Sequence, residues 1–320
     1  MQLSSPKSAS VRPASGHKTS SCPVCSNSKV ELYRNDEAER ALSSSDLGSS
    51  RETVTHGRIL RCHACGFGFR AYRPSEEELA CLYRDLDPEV YERESSGRLR
   101  TARRHLEIVR RFVFSGRLLD VGCASGTFLN CAAEYGFDVV GVEPSSALCT
   151  KAQQILLGRG KILCCSLQSS SLPVSSFDVV TLWDVLEHVP DPLDFLRLCA
   201  SLTKEEGYVL ANVPDLDSWQ SRILGGRWPL LLAEHLNYFT RRSLALAGKA
   251  SQLQVICFGR RPASFSLDYV LYRLAQHRFP GAAIGRSLFG RSPLGAVSIP
   301  AYLGESYVVW RRSESQDMQA

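Results

Sequence analysis

The feature that most constrains the fold is residues 117–126, RLLDVGCASG, where a short apolar run ends in an acid and a glycine-containing turn. Apolar residues recur at helical spacing after the turn, so this segment predicts a strand, a tight turn and a helix that begins at Gly126. A second apolar run ends at Glu143 and Pro144, and Glu143 follows Gly122 by about 20 residues. A strand-end carboxylate at this distance accepts hydrogen bonds from ribose hydroxyls, so the pattern predicts a crevice for a nucleoside-containing cofactor.

The charge around the turn distinguishes between possible cofactors. A dinucleotide site has the spacing G-x-G-x-x-G and no acid that faces the pyrophosphate. Here the three positions are Gly122, Ala124 and Thr127, and Asp120 stands at the mouth of the turn, where a carboxylate repels a phosphate. The same carboxylate attracts the sulfonium and the ammonium group of S-adenosylmethionine, which we therefore predict as the cofactor. The alternative is a turn that binds nothing.

Three stretches of the chain resemble the class I methyltransferases. Residues 120–126 resemble their first motif, with Ala124 at the usual middle glycine, and residues 177–192, FDVVTLWDVLEHVPDP, look like their fourth strand and the loop beyond it. Residues 234–240, EHLNYFT, are similar to a signature of the subgroup with an N-terminal cysteine module, which includes sugar C-methyltransferases. The resemblance covers residues 20–312 and implies a Rossmann-like fold and methyl transfer. It does not identify the substrate.

The order of the elements predicts where the cofactor residues meet. Strand and helix patterns alternate over residues 117–213, which predicts an α/β fold with a parallel sheet and helices on both faces. Ligands of such sheets bind beyond the carboxyl ends of the strands. Leu167 and Gln168 should lie near the adenine, and Asp184 and His188, one helical turn apart, near the methionine end; a capping or core role is the alternative for His188. The predicted cofactor-binding residues are Asp120, Gly122, Ala124, Gly126, Glu143, Pro144, Leu167, Gln168, Asp184 and His188.

The acceptor site is predicted in the segment after the fifth strand, residues 215–240, which is too long for an ordinary connection. His235 carries the side chain nearby whose unperturbed pKa suits a general base, and Glu234 or Tyr238 could orient it or bind a hydroxyl. In the sugar C-methyltransferases that the chain resembles, a Glu-His pair at this position lies at the acceptor site. The alternative is that Glu234 and His235 only clamp the loop.

Two C-x-x-C pairs, Cys22 with Cys25 and Cys62 with Cys65, predict a structural zinc site with four thiolates. His63 could replace one thiolate, but we assign all four positions to cysteine. A zinc ribbon of this kind can bind nucleic acid, contact substrate or only stabilise a segment that is too small to fold alone. We adopt the last interpretation. A redox-active pair is a weaker alternative.

The composition suits one large core and a small module. The chain has 320 residues, and its apolar runs are shorter than the roughly 20 residues of a membrane span, so we expect no membrane span. Its 12 cysteines are scattered among predicted strands and helices, so we expect reduced thiols in a cytoplasmic protein.

The predicted segments are a disordered tail at 1–21, a zinc-ribbon module at 22–72, a helical connector at 73–115, a methyltransferase domain at 116–312 with insertions at 215–240 and 262–300, and a tail at 313–320. The connector should pack across the cofactor crevice. The second insertion, residues 262–300, should form a lid, an acceptor platform or a membrane-surface helix.

The charge of the last third leaves the acceptor open. Residues 240–312 contain eleven Lys or Arg against two acids. This positive charge favours an anionic acceptor such as a nucleotide sugar or a phospholipid-linked glycan. The alternative is that these basic residues only form a solvated surface. A ribbon-dependent RNA methyltransferase is the first alternative, but the [D/N]-P-P-[F/Y] loop used for exocyclic amines is absent, so nucleic acid is not the expected partner. A catalytically silent scaffold is the second. We expect a small-molecule or carrier-linked acceptor, with a sugar or glycan as the leading candidate, and make no prediction of the oligomeric state.

Overall fold

The structure is a computed structural model of the chain. It describes residues 17–18, 21–35, 42, 56–84, 95–260, 263–276, 279–290, 292, 294–295 and 297–313. Most of the two predicted tails lies outside these residues. His17–Lys18 forms strand β1 and pairs with Tyr72–Arg73 (β5).

Strands and helices alternate through the middle of the chain as predicted. The remaining strands are β2 Val30–Arg34, β3 Ile59–Cys62, β4 Gly68–Arg70, β6 Arg117–Val121, β7 Asp138–Val142, β8 Gly160–Leu163, β9 Phe177–Trp183, β10 Thr203–Pro214, β11 Asn237–Tyr238, β12 Leu253–Arg260, β13 Ala263–Ser266, β14 Ser298–Ala301 and β15 Glu305–Arg312. The α-helices are α1 Glu76–Arg84, α2 Ser95–Val109, α3 Thr127–Tyr135, α4 Ser146–Leu156, α5 Pro192–Leu202, α6 Trp219–Leu224, α7 Arg241–Ala250, α8 Leu267–Gln276 and α9 Ala282–Phe289.

Seven strands form the central sheet, in the order β12-β15-β10-β9-β6-β7-β8. The run from β10 to β8 is parallel, whereas β15 is antiparallel to both of its neighbours. Consecutive side chains of β6 enter cores on opposite faces: Leu118 packs in an apolar cluster with α2 and α3, and Leu119 in one with α5 and α7. A parallel sheet buried on both faces needs such continuous apolar strands. The predicted α/β fold is confirmed.

Side-chain caps fix where the helices of this domain begin. Ser145, Asp191 and Thr240 each accept a hydrogen bond from a backbone N–H of the following first turn. Gly126 precedes α3 in a left-handed conformation, with φ of 76°. These caps satisfy N–H groups that a helix leaves without intrahelical partners. The helix start predicted at Gly126 is therefore observed.

A second sheet joins the cysteine module to the methyltransferase-like domain. Its order is β11-β4-β3-β2, in which β2, β3 and β4 belong to the module. Strand β11 comes from the insertion at 215–240: Asn237 lies opposite Phe69 and Tyr238 opposite Gly68. The module therefore shares its sheet with the segment that carries the predicted acceptor residues.

The second insertion forms a small antiparallel pair, β13 with β14, and the helices α8 and α9 between them. Phe265 of β13 stacks on Tyr269 of α8, with ring centroids 5.2 Å apart. Within the described part of the chain, every helix is too short or too polar to cross a membrane.

One local prediction is wrong. Residues 184–188 form turns rather than a helix, because Asp184 has a left-handed backbone, with φ of 57°. Its backbone N–H donates to the side-chain oxygen of Asn212 at 2.9 Å, which holds this conformation. The side chains of Cys149 and Cys164 lie next to each other, with Cα atoms 5.8 Å apart.

Candidate active site

A cavity of about 630 Å³ opens where β6, β7 and β9 end. Ligands of parallel sheets bind at this edge. Nine of the ten predicted cofactor-binding residues line the cavity, and so do two of the three predicted acceptor residues. The lining residues that the sequence predicted are Asp120, Gly122, Ala124, Glu143, Pro144, Leu167, Gln168, Asp184, His188, Glu234 and His235.

Gly126 is the predicted cofactor residue that does not line the cavity. A Cβ atom at this position would lie 3.0 Å from the Cβ of Ala152 on α4. Its positive φ and this close approach both favour glycine. Gly126 therefore serves the packing of α3 against α4, and its predicted contact with the cofactor is not carried further.

Glu143 is held at the end of β7 by two backbone N–H groups. Those of Ala124 and Ser145 donate to its two carboxylate oxygens, each at 2.9 Å. Burial raises the pKa of Glu143, and the two donors oppose this shift. The carboxylate thus links the glycine-containing turn to the second strand.

Asp120 is electrostatically different from what the sequence suggested. Burial raises the pKa of Asp120 to about 8, against an ordinary value of 3.8, although the Thr181 hydroxyl donates to it at 2.7 Å. Glu143 raises the pKa further through charge repulsion. At neutral pH this carboxyl group is therefore mostly protonated before any cation binds, whereas the sequence predicts a carboxylate.

The connector closes one side of the cavity, as expected. Side chains of α1 and α2 line it, and Gln168 donates from its amide nitrogen to Glu76 of α1 at 2.9 Å. Leu167 is buried beside it. The contact brings α1 to the place predicted for the adenine.

At the other end of the cavity, two loops bring His188 and His235 together. Their rings meet edge to face, with centroids 4.8 Å apart. The Nδ1 atom of His235 lies 2.9 Å from the carbonyl oxygen of Leu230, and that of His188 lies 3.2 Å from the carbonyl oxygen of Glu234. Because a carbonyl only accepts, each Nδ1 carries the proton and each Nε2 is the basic nitrogen of the neutral ring.

Tyr238 lies outside the cavity wall. Its side chain is fully buried, its hydroxyl donates to the carbonyl of Leu232 at 3.3 Å, and its ring packs against His235 with centroids 6.0 Å apart. Burial raises the pKa of Tyr238 above its ordinary value. A direct catalytic role for Tyr238 is therefore not supported, and the tyrosine instead buttresses the ring of His235.

Several wall residues were not predicted from the sequence. The ring of His105 on α2 stacks on Trp183 with centroids 3.8 Å apart, and both residues line the cavity. His105 shares the buried face of α2 with Ala102 and Leu106, so a polar residue in this apolar stripe was the available signal. Phe265 and Tyr269 come from the second insertion, whose packing has no local sequence signal.

The charge of the wall differs from that of the last third of the chain. In the parts of residues 240–312 that the structure describes, Lys and Arg are absent from the cavity wall. The described wall of the acceptor end contains the carboxyl groups of Glu187, Glu234 and Glu305. The basic surface therefore does not define an anionic acceptor pocket.

The four predicted zinc ligands form one cluster. The sulfurs of Cys22, Cys25, Cys62 and Cys65 all lie within 4.8 Å of one another, with 3.6 Å between Cys22 and Cys65 and 3.5 Å between Cys25 and Cys62. A zinc ion with thiolates at about 2.3 Å places neighbouring sulfurs about 3.8 Å apart in a tetrahedron. The cluster has the donor set and the spacing of a structural zinc site. His63 is exposed and lies 3.4 Å from Glu31, outside the cluster.

A second group of potential ligand atoms lies in the cavity. Glu187, His188 and His235 offer ligand atoms that lie within 4.8 Å of one another. This spacing would allow all three to bind one metal ion. The group could not be predicted from the sequence, because Glu187 and His235 are far apart along the chain.

The chain matches a family model described as a methyltransferase domain over residues 91–257, about half of its length. The chain belongs to this family. A ubiquinone biosynthesis O-methyltransferase from Aliivibrio fischeri is 37% identical over 101 residues, which are 30% of this chain and 43% of that protein. One from Bordetella avium is 29% identical over 173 residues, or 50% of this chain and 70% of that protein. This chain thus spans less than half of the first relative.

A solved structure supports the fold. One chain of a complex that contains the Haloferax volcanii Trm112 methyltransferase activator aligns with a TM-score of 0.51 at 15% identity, over 75% of this chain and all of that chain. The resemblance to class I methyltransferases and their Rossmann-like fold is confirmed.

The cofactor that the methyltransferase family implies is S-adenosylmethionine, and the residues of the crevice are compatible with it. Gly122 has a φ of 69°, and a Cβ atom there would lie 2.8 Å from the Cγ2 atom of Val185. The absence of a side chain leaves the backbone of the turn open to the cavity. With Glu143 fixed at the second strand and Leu167 at the third, the residues present fit a nucleoside and an amino acid tail.

We expect freshly purified protein to contain one zinc ion per chain and Cys62→Ser to lose it. Removing one of four ligands opens the tetrahedral site, so the module should unfold at lower temperature than the central sheet. Elemental analysis of protein prepared without chelators measures the metal. Cys81→Ser, which removes an exposed cysteine of α1, is the control and should retain zinc. Parent protein without zinc would contradict the assignment.

The pKa of Asp120 predicts how stability depends on pH. The folded protein keeps this proton up to about pH 8, whereas the unfolded chain releases it near 3.8. Raising the pH between these values therefore lowers the free energy of unfolding, by up to about 1.4 kcal/mol per pH unit from this group. Asp120→Asn has no such proton and should gain stability relative to the parent from pH 5.5 to 8.

Thermal or urea unfolding at several pH values measures this difference. The control is Asp138→Asn, which changes an exposed carboxyl group at the start of β7 and should differ from the parent by a constant amount over this range. A constant difference for Asp120→Asn would show that Asp120 is ionised in the folded protein.

Proposed function

We propose that this chain transfers the methyl group of S-adenosylmethionine to a small-molecule or carrier-linked acceptor. The supporting observation is that one cavity contains both the cofactor crevice, at Gly122 and Glu143, and the paired histidines His188 and His235. When bound, S-adenosylmethionine supplies an electrophilic methyl group on its sulfonium. The protein then has to align the nucleophile with that group and remove a proton where the nucleophile carries one.

His235 is the proposed general base. Its Nδ1 proton is engaged by the Leu230 carbonyl, which leaves Nε2 as the basic atom, and the ring is buried against Tyr238. Such fixation keeps the imidazole in one orientation, as a base must be within hydrogen-bonding distance of the proton it removes. Glu234 and His188 stand beside it in the cavity wall and are proposed to bind the acceptor. For His188 this proposal replaces the position at the methionine end of the cofactor that the sequence predicted.

The leading acceptor is a sugar or glycan, as the Glu-His pair suggests. An uncharged acceptor group suits a wall in which carboxyl groups outnumber the described basic side chains at this end. The second candidate is a phenolic hydroxyl. Stacked Phe265 and Tyr269 offer a flat apolar wall for an aromatic ring, and the relatives named above are O-methyltransferases of ubiquinone biosynthesis.

We further propose the domain organisation given by the sequence, with one change. The insertion at 215–240 belongs structurally to both units, because β11 completes the sheet of the cysteine module. The zinc is proposed to be structural, since its four ligands are cysteines and leave no open position for a substrate.

We expect Glu143→Ala to weaken the binding of S-adenosylmethionine by about 1.5–3 kcal/mol, the range for losing a hydrogen bond to a charged group. Isothermal titration calorimetry with the cofactor alone measures this change. Glu134→Ala, which removes an exposed glutamate of α3, should bind as the parent does. Equal affinities of the parent and Glu143→Ala would refute the crevice as the cofactor site.

We expect His235→Ala to reduce turnover about 10²- to 10⁴-fold while the affinity for S-adenosylmethionine stays within a factor of about two. The assay uses cofactor with a labelled methyl group and two acceptor panels, nucleotide sugars and catechols. Turnover within a factor of about three of the parent would remove His235 from the catalytic residues.

The same assay distinguishes two alternatives. A parent protein that binds the cofactor but methylates neither panel supports the scaffold interpretation. Turnover that is lost after brief EDTA treatment, with the cysteine-bound zinc retained, would point to a metal ion at Glu187, His188 and His235 instead of a free base.

A further inference from the structure

The acceptor end of the cavity is built from two loops that are distant in sequence. Residues 186–190 carry His188, and residues 233–237 carry Glu234 and His235. The backbone N–H groups of Leu236 and Asn237 both donate to the carbonyl of Glu187, at 2.8 and 3.0 Å. The relative position of the two histidines therefore depends on how these loops are held against each other.

Arg73 lies between the two loops. It is the last residue of β5, beyond the cysteine module, and only 8% of its surface is exposed. Toward the first loop, its Nε donates to the carbonyl of Pro190 at 3.0 Å. Its Nη2 donates to the same carbonyl and to that of Val189, the latter at 3.4 Å. Toward the second loop it donates to the carbonyl of Leu236 at 3.3 Å and to the side-chain oxygen of Asn237 at 2.8 Å.

Asn237 completes the connection in the opposite direction. Its side-chain nitrogen donates to the carbonyls of Leu186 at 3.0 Å and Val189 at 2.8 Å. The side chain of Asn237 therefore accepts a hydrogen bond from Arg73 through its oxygen and donates two hydrogen bonds to the first loop through its nitrogen. Arg70, three residues before Arg73, adds a bond from its backbone N–H to the carbonyl of Leu236 at 3.0 Å.

The chemistry of these contacts requires an arginine. A guanidinium is planar and presents five donors in a fixed fork, whereas a lysine ammonium is a single point with three donors. Burial lowers the pKa of Arg73 to about 10, so the group remains charged at neutral pH. The oxygens to which Arg73 donates in these bonds are all neutral, so its charge strengthens several bonds to the loops.

We propose that Arg73 is a positioning residue that sets the distance and orientation between His188 and His235. Through it, the chain segment next to the cysteine module forms part of the acceptor site. This inference rests on the proposed function only in giving His235 a catalytic task. The geometric part, that Arg73 fixes the two histidines, stands independently of the reaction.

The test uses the full chain with Arg73→Lys and Arg73→Met. The matched controls are Arg197→Lys and Arg197→Met, which change an exposed arginine bonded to Asp194 and to the carbonyl of Ala250. Zinc content, thermal unfolding and cofactor affinity are measured first. All variants should keep zinc and bind S-adenosylmethionine within a factor of about two of the parent, because Gly122 and Glu143 lie on other loops.

The deciding measurement without an acceptor is the nuclear magnetic resonance spectrum of ¹⁵N-labelled histidine side chains. In both Arg73 variants, the resonances of His188 and His235 should shift or broaden, whereas that of His105 on α2 should stay in place. The Arg197 variants should leave all three unchanged. Unchanged His188 and His235 signals in folded Arg73→Lys would overturn the proposal, as would shifts spread equally over all three histidines.

Turnover of whichever acceptor panel the parent methylates gives the second measurement. Arg73→Lys should lower kcat about 10- to 100-fold, because small misplacements of reacting groups cost about this much. Combined with His235→Ala, it should add less than about a further twofold loss, since Arg73 acts through His235. Losses that multiply, or full rescue by lysine, would contradict the proposal. A parent that binds cofactor but methylates neither panel contradicts the proposed function and leaves the spectroscopic result to decide the positioning role.

Discussion

The pairing of β11 with β4 is the interaction on which the proposed acceptor site depends. Tyr238 lies opposite Gly68, where a Cβ atom would come within 2.8 Å of the Leu216 side chain and 3.1 Å of the Tyr238 Cβ atom. Glycine therefore permits a strand approach that no other residue would tolerate without movement. Because β11 begins two residues after His235, this pairing anchors the loop that carries the proposed base.

The local parts of the fold were predictable from the sequence, and the reasons are local. Strands of the parallel sheet are continuous apolar runs, and caps such as Ser145 and Asp191 mark helix starts through bonds that span three residues or fewer. The cavity residues at strand ends follow from the topology alone. The pairing of β11 was not predictable, because two residues carry no periodicity and their partners lie about 170 positions earlier.

The errors at single residues have a common cause in tertiary surroundings. Tyr238 reads as a polar aromatic beside a histidine, but the surrounding core buries its hydroxyl against a carbonyl. Asp184 adopts a left-handed backbone because the side chain of Asn212, on the neighbouring strand, forms two hydrogen bonds with it. The Asn212 side-chain oxygen accepts from the Asp184 backbone N–H, and the Asn212 side-chain nitrogen donates to the Asp184 carboxylate. Asp120 reads as a carboxylate, but only the structure shows how completely it is buried and hence how far its pKa rises.

The two halves of the cavity are held by different kinds of structure, and this division bears on function. Gly122 and Glu143 stand on short turns of the parallel sheet, which many proteins share and which serve a common cofactor. His188 and His235 stand on loops whose separation is set by Arg73 and by a sheet from outside the domain. Changing the loops or the cysteine module would therefore alter the acceptor site while leaving the cofactor crevice in place. If the acceptor binds where we propose, it is selected by non-local contacts, and short motifs then identify the reaction type more readily than the substrate.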